Sequence, residues 1–300
     1  QKNSLPLDKF INLSLYDKKS GYYMKKNPFG KKGDFITAPN ISRLFSEMIA
    51  IWIISFWQSL GSPKKFNLIE LGAGNGEMMK IIIESFQNFP VFLNSCNFII
   101  HEISPSLIKI QKKKLFKDKI IWVSKISKIN NSPSIFIANE FFDALAIKQF
   151  EKKGDLWFEK FVCKKKKGDF SFLEKKTDIK KIEKKIKFKI SLNQNFIEYS
   201  DLGLNYLKDI SNIIKKNSGG LLIIDYGYVN GKMKNSLQAT RNHKFANIFD
   251  NIGKVDITHN INFNFFKKFI NCIGGLENNL TTQKEFLTKM GIKNRAEIIS

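Results

Sequence analysis

Three hundred residues, 43% of them hydrophobic and 26% charged, can bury a large core, and this balance excludes a disordered, fibrous or low-complexity chain. The formal charge of +23 is nearly all lysine, with Arg43, Arg241 and Arg295 the only arginines. Base-edge reading and bidentate phosphate contacts favour arginine, so the lysine runs read as solvated faces; no nucleic-acid partner is expected, while an acidic protein partner stays open.

In chain order, the N-terminal segment carries Ser20-Gly-Tyr-Tyr, Pro28-Phe-Gly and Gly33-Asp-Phe-Ile-Thr-Ala-Pro39, rich in turn formers and without a clear period. Because residue 1 is Gln and not Met, a preceding piece is expected. Ile41, Leu44, Phe45, Met48, Ile49, Trp52, Ile53 and Phe56 then fall on one stripe, which predicts a core helix. The strongest apolar run, Met48 to Trp57, is about half of the ~20 residues that span a bilayer, so no membrane insertion is expected.

Next comes Asn67-Leu-Ile-Glu-Leu-Gly-Ala-Gly-Asn-Gly-Glu-Met-Met79, an apolar strand breaking into a glycine turn. Gly72, Gly74 and Gly76 let the backbone turn tightly against a ligand, and Met79, Ile82, Ile83 and Phe86 mark the buried face of the helix that follows. A dinucleotide fingerprint is disfavoured, since Glu77 at the helix N-terminus would repel a pyrophosphate, and no Gly-Lys-Ser/Thr follows for a P-loop. The spacing left is G-x-G-x-G preceded by Glu70, the pattern of an S-adenosylmethionine site, where an acid beside the turn faces the methionine ammonium. A second apolar run, Phe98-Ile-Ile-His-Glu-Ile103, ends in Glu102, placed to take both hydroxyls of an unphosphorylated ribose.

Ser104-Pro105 predicts an N-cap and the first position of a helix running through Lys112-Lys-Lys114. Lys119-Ile-Ile-Trp-Val123 and Ser134-Ile-Phe-Ile-Ala138 are further strands, the second leading into Asn139-Glu-Phe-Phe-Asp143. Alternating strands and helices argue for a parallel, doubly wound α/β sheet with ligands beyond the carboxyl ends of the strands. From Glu151 the character changes: Leu156 to Val162 and Asp169 to Leu173 alternate around an exposed turn at Lys164 to Gly168, predicting an inserted hairpin. Ile179 to Lys189 reads equally as helix or strand. A helix near Leu204 to Lys216 is expected to be capped by Gly219-Gly220 before the strand Leu221-Leu-Ile-Ile-Asp225. Leu237 to His243 is polar enough to line a cleft or coat a surface. Four regions are expected: 1–60 as an N-terminal loop and helix extension, 61–150 as the cofactor half of the sheet, 151–200 as the insertion, and 201–300 as the second half with substrate-side loops. Cys96, Cys163 and Cys272 are isolated, odd in number and without C-x-x-C, so neither a disulfide framework nor a zinc site is indicated, and a reducing compartment fits.

Several blocks together resemble one family. Gly-Tyr-Tyr at 21–23, Gly-Asp-Phe-Ile-Thr-Ala-Pro at 33–39, Glu-Leu-Gly-Ala-Gly-Asn-Gly at 70–76, Glu-Ile-Ser-Pro at 102–105, Ala-Asn-Glu-Phe-Phe-Asp-Ala-Leu at 138–145, Ile-Asp-Tyr-Gly at 224–227 and Leu-Gln-Ala at 237–239 are similar to the MidA-type methyltransferases. The resemblance runs from about Gly21 to Arg295, with Asn-Glu-Phe-Phe-Asp the most diagnostic block. The family usually has Pro at the positions of Ala73 and Ala146 and Asp at that of Asn262, and it continues past residue 300, so a further C-terminal piece is expected.

The resemblance implies a class I, Rossmann-like methyltransferase sheet with an N-terminal helical extension and a β-rich insertion. It also implies an S-adenosylmethionine-dependent enzyme, and its mitochondrial member is a respiratory complex I assembly factor that methylates a protein arginine. The cofactor site is then expected at Glu70, Gly72, Ala73, Gly74, Gly76, Glu102 and Asn139. Glu140 and Asp143 are the expected catalytic pair, orienting a guanidinium and accepting its proton; three residues apart, they would share a face if the segment is helical. The alternative is that Asn139 and Glu140 only hydrogen-bond the cofactor or the loop backbone. Asp225, Tyr226, Arg241 and His243 are secondary candidates. A protein substrate, a complex I subunit among them, is the expected partner, in a bacterial cytoplasm or alternatively a mitochondrial matrix. The competing readings are a methyltransferase with another acceptor and a non-catalytic assembly chaperone.

Overall fold

The computed structural model describes residues 4–25, 28, 37–165, 168–241, 243–274 and 276–299. Residues 29–36 of the N-terminal motifs, 166 and 167 of the exposed turn, and Asn242 lie outside the described residues. The chain divides into two units, one made of Lys26–Asn139, Asp209–Ile224 and Glu277–Ser300, the other of Gln1–Lys25, Glu140–Lys208 and Asp225–Leu276.

The first unit is built on a five-stranded parallel sheet in the order Gly219–Ile224, Ser134–Asn139, Phe66–Leu71, Cys96–His101, Ile120–Val123. The chain winds outward from Phe66–Leu71 through the next two strands, then crosses to its other side. That reversal is a topological switch point, where the crevice beyond the carboxyl ends of an open sheet binds ligands. Phe66–Leu71 is buried at every residue, as a central strand covered on both faces must be.

The helix Glu77–Phe86 lays Met79, Ile82, Ile83 and Phe86 into the core, as the spacing predicts. The helix Pro105–Lys114 starts on Ser104, whose hydroxyl accepts from the Leu107 N–H at 3.3 Å. In the same unit Phe286 packs edge-on to Trp52, and the Arg295 guanidinium donates to Glu47 at 2.8 Å.

The predicted core stripe needs one correction. Phe45, Met48, Ile49 and Ile53 are buried on the helix Arg43–Ser59, but Ile41 is 71% exposed. The extended backbone of Ser42 ends a separate short helix, Ala38–Ile41, and takes Ile41 off the stripe. A second correction concerns Gly219-Gly220, which do not cap a helix but open the strand Gly219–Ile224, while Ser218 takes the left-handed position with φ +66°. Their lack of a side chain serves close packing: a Cβ on Gly219 would meet the Ser134 carbonyl at 1.9 Å, and one on Gly220 the Phe56 ring at 2.7 Å.

The second unit carries an antiparallel sheet. Leu156–Lys164 pairs with Ser4–Pro6, Lys148–Lys153 and Phe170–Thr177, and Lys148–Lys153 pairs with Phe196–Tyr199. The predicted hairpin is therefore present, extended to Thr177. The ambiguous stretch is a helix, Ile179–Ile186, started by Asp178, whose carboxylate accepts from the Lys180 N–H at 3.0 Å. Leu7, Phe10, Ile11 and Leu15 of the helix Leu7–Tyr16 are buried in this unit.

Candidate functional site

Gly72, Gly74 and Gly76 have φ of +65°, +52° and +78°, the left-handed region that a Cβ disfavours, so the turn demands glycine at each. The Gly72 N–H donates to the His101 carbonyl at 2.9 Å, tying the turn to the end of the neighbouring strand. Ala73 is buried between them. Asn75 accepts from the Glu77 N–H at 3.1 Å and donates to Asn40 at 2.8 Å, so its side chain fastens both flanks.

Two acids sit beside this turn. Glu70 is buried, and its pKa is pushed up to about 8 by that burial and by the charge of Glu102, against a hydrogen bond from the Met79 N–H. Its Oε2 has no hydrogen-bond partner. Glu102, just past the strand Cys96–His101, is held at both oxygens: Oε1 accepts from the Ile103 and Ser104 N–H groups at 2.8 and 2.9 Å, and Oε2 from Gln111 Nε2 at 3.2 Å. Burial raises the Glu102 carboxyl while these donors pull it down. A carboxylate offers about four acceptor sites, so about one stays open, on a group already aimed. Asn139 ends the strand beside Phe66–Leu71, at the same carboxyl edge.

In the other unit the segment after Asn139 is not helical, so Glu140 and Asp143 do not share a helix face. Glu140 has φ +48°, a strained conformation for a residue with a Cβ, of the kind that persists where surroundings over-determine it. Asp225 holds the segment: its Oδ2 accepts from the Phe142 and Asp143 N–H groups at 3.1 and 3.2 Å, and its Oδ1 from the Tyr226 N–H at 2.9 Å.

Asp143 is buried, and its pKa is raised by that burial and by the charges of Asp225, Asp256 and Glu140. Asp225 is pushed up to about 7, chiefly by burial, against its N–H donors. Asp256 receives the Tyr23 hydroxyl at 2.7 Å, Tyr23 stacks on Tyr16, and the Tyr16 hydroxyl donates to the Ala144 carbonyl at 3.0 Å. The Gly-Tyr-Tyr block is thereby built into the walls of this acidic segment. A concentration of buried carboxyls is suited to a cationic group, whose arrival would return them to their ionised form.

Of the secondary candidates, Asp225 joins this constellation and Tyr226 lies near enough to Glu140 for that charge to raise its phenol. Arg241 and His243 do not join it. They belong to a small antiparallel sheet in which Gln238–Arg241 pairs with Lys244–Ala246 and Asp256–Thr258, His243 standing in the turn at φ +60°. Of the Leu237 to His243 stretch, Ala239 is buried, Leu237, Gln238, Thr240 and Arg241 are half-buried, and His243 is exposed. Among the described residues no group of His, Cys, Asp and Glu has the arrangement of a metal site.

A family described as "Putative S-adenosyl-L-methionine-dependent methyltransferase" matches residues 48–279, more than half of the chain. The chain belongs to this methyltransferase family. It is 29% identical to the mitochondrial protein arginine methyltransferase NDUFAF7 of Xenopus tropicalis, over 98% of this chain and 74% of the relative. It is 30% identical to the NDUFAF7 homolog of Caenorhabditis elegans, over 92% of this chain and 70% of the relative. A Burkholderia thailandensis protein crystallised bound to S-adenosyl-homocysteine has the same fold, with a TM-score of 0.84 at 20% identity over all of this chain and 80% of that one.

The methyltransferase presents donors and acceptors that fit S-adenosylmethionine. Turn glycines admit close approach, the unpartnered Glu70 Oε2 can meet a cation, and Glu102 offers an aimed acceptor to a ribose hydroxyl. Held by these residues, the cofactor would supply an electrophilic methyl group on a sulfonium.

Sequence reasoning passed over Gln111, Asp256 and Tyr23. Gln111 had a legible signal: Leu107, Gln111 and Leu115 are spaced i, i+4, i+8, so an uncharged polar residue stands in a buried stripe along a lysine-rich helix and its C-cap. Asp256 had none, because its neighbours at Asp143 are more than a hundred residues away in the chain.

Proposed function

We propose that this methyltransferase transfers the methyl group to an arginine side chain of a protein, a subunit of respiratory complex I being the acceptor to test first. The observation that carries the reading is the acidic segment directly after Asn139: strained Glu140, buried Asp143, and Asp225 clamping the backbone between them. Support comes also from the relatives named protein arginine methyltransferase in frog and worm.

A guanidinium is a poor nucleophile because its lone pairs are delocalised and its pKa exceeds 12. Carboxylates make it reactive by orienting it, localising its charge on one nitrogen and accepting the proton released as the N–C bond forms. Glu140 is the proposed base, and Asp143 the proposed orienting charge. Glu70, Gly72, Ala73, Gly74, Gly76, Glu102 and Asn139 are the proposed holders of the cofactor. Their task is alignment, since in-line displacement depends on holding the nucleophile at near-attack geometry.

The mitochondrial names of the relatives favour a matrix location, with a bacterial cytoplasm as the alternative. Among the described residues no helix is long and apolar enough to cross a membrane. The test is mass spectrometry of complex I subunits from cells with and without the gene. A dimethyl- or monomethyl-arginine that disappears on deletion is the expected result. Unchanged arginines with a lost methyl group on another residue type would move the acceptor, and unchanged methylation throughout would favour the chaperone reading.

A further inference from the structure

We propose that Gln111 is a positioning residue of the cofactor site, welding the glycine turn to the ribose-binding acid, and that Trp122 dictates which way round its carboxamide sits. Gln111 is wholly buried on the inner face of the helix Pro105–Lys114, between Leu107 and Leu115. An amide removed from water is costly unless its hydrogen bonds are met. Both donated bonds go to this site, from Nε2 to the Gly74 carbonyl at 2.9 Å and to Glu102 Oε2 at 3.2 Å, while Oε1 accepts from the Trp122 indole N–H at 3.0 Å.

The two ends of a glutamine amide look alike, but these partners are not interchangeable. An indole N–H only donates, while a carbonyl and a carboxylate only accept. A flipped amide would set Oε1 against two acceptors and its NH2 against a donor. Trp122 thus selects the orientation in which both amide protons serve the site. The Ile103 and Ser104 N–H groups already hold Glu102 Oε1, so Gln111 fixes the remaining oxygen and with it the plane of the carboxylate. Through Gly74 the same amide holds the middle glycine of the turn. Preorganisation of this kind raises affinity by removing ordering that binding would otherwise have to impose.

The role is exerted through Gly74 and Glu102, so the test is one of coupling. Calorimetric titration with S-adenosylhomocysteine would compare wild type, Gln111→Leu, Glu102→Ala and the double variant, with thermal unfolding of the ligand-free proteins recorded alongside. Gln111→Leu is expected to weaken binding roughly 10-fold, the size of one unmet buried hydrogen bond. The double variant is expected to lose less than the two single losses combined, keeping only the part that Gln111 exerts through Gly74. Trp122→Phe should weaken binding by a smaller factor. Unchanged affinity in Gln111→Leu, or losses that simply add in the double variant, would overturn the proposal.

Should Gln111→Leu fail to fold, Gln111→Glu keeps the question open to measurement. Protonated, its side chain can still donate to one acceptor; ionised, it opposes Glu102. The ratio of its dissociation constant to that of wild type should therefore rise with pH. A ratio independent of pH would count against the role assigned here.

Discussion

Glu140 takes a left-handed backbone conformation, which in a residue with a Cβ needs a reason, and it directly follows a strand of the parallel sheet. Glu140→Gln keeps the shape and removes the proton acceptor. Methyl transfer should fall by about 100-fold or more while the S-adenosylhomocysteine dissociation constant stays within about 2-fold, read by mass spectrometry and calorimetry. Unchanged transfer would remove Glu140 from the base role. Glu70 makes a different prediction. Its folded pKa of about 8 lies above the ordinary carboxylate range, so near neutral pH it holds a proton that a cationic ligand would expel. Binding of S-adenosylmethionine at about pH 7 should release close to one proton, seen as a dependence of the binding enthalpy on buffer ionisation, and Glu70→Gln should abolish it.

At the scale of elements, Asn262 explains one departure from the family pattern. It is the N-cap of the helix Phe263–Ile273, its side chain accepting from the Phe265 N–H at 2.9 Å. Asp can accept the same bond, so the family's usual acid fits this cap as well. Asn262→Asp should change unfolding free energy by no more than a few tenths of a kcal/mol, and Asn262→Ala should cost about 1 kcal/mol in denaturant titrations. The edge strand Gly219–Ile224 is less forgiving. Gly219→Ala drives a Cβ into the Ser134 carbonyl that its strand pairs with, and should cost about 2 kcal/mol or more or prevent folding. These elements show what pattern reading can reach. The glycine turn, the helix after it and the Ser104 cap were legible because local spacing alone produces them. Ile41 and Gly219 misled it, since each depends on what the next element presses against.

For the whole molecule, carboxyls desolvated on folding couple stability to pH. Glu70 and Asp225 have folded pKa values of about 8 and about 7, above their ordinary values of 4.5 and 3.8, and Asp143 is raised as well. Groups raised on folding stabilise fully below the unfolded pKa, and that contribution is lost as pH climbs through the folded one. His101 and His259 are depressed and act in the opposite sense, but only below their ordinary value of 6.5. The ligand-free melting temperature should therefore fall between about pH 6.5 and about pH 8.5, and the double variant Glu70→Gln, Asp225→Asn should flatten the fall. A rising or level wild-type profile would contradict these burial assignments. Saturation with S-adenosylhomocysteine at 100 times its dissociation constant should add about 2.7 kcal/mol, shown by a concentration-dependent melting temperature.

Sequence alone determined the parallel sheet, the glycine turn at 72–76 and the acid at the strand tip, Glu102, because strand period, left-handed glycines and helix caps are short-range properties that neighbouring residues enforce on one another. It also singled out Glu140 and Asp143, through a motif. Tertiary structure decided the rest: that Glu140 and Asp143 lie on a strained loop instead of a helix, that Asp225 clamps that loop, that Asp256 and Tyr23 line it, and that Gln111 fastens Glu102 to Gly74. Such groups meet across tens to hundreds of residues. Burial and hydrogen-bond demand select them after the chain has folded, and no local pattern encodes that demand in advance.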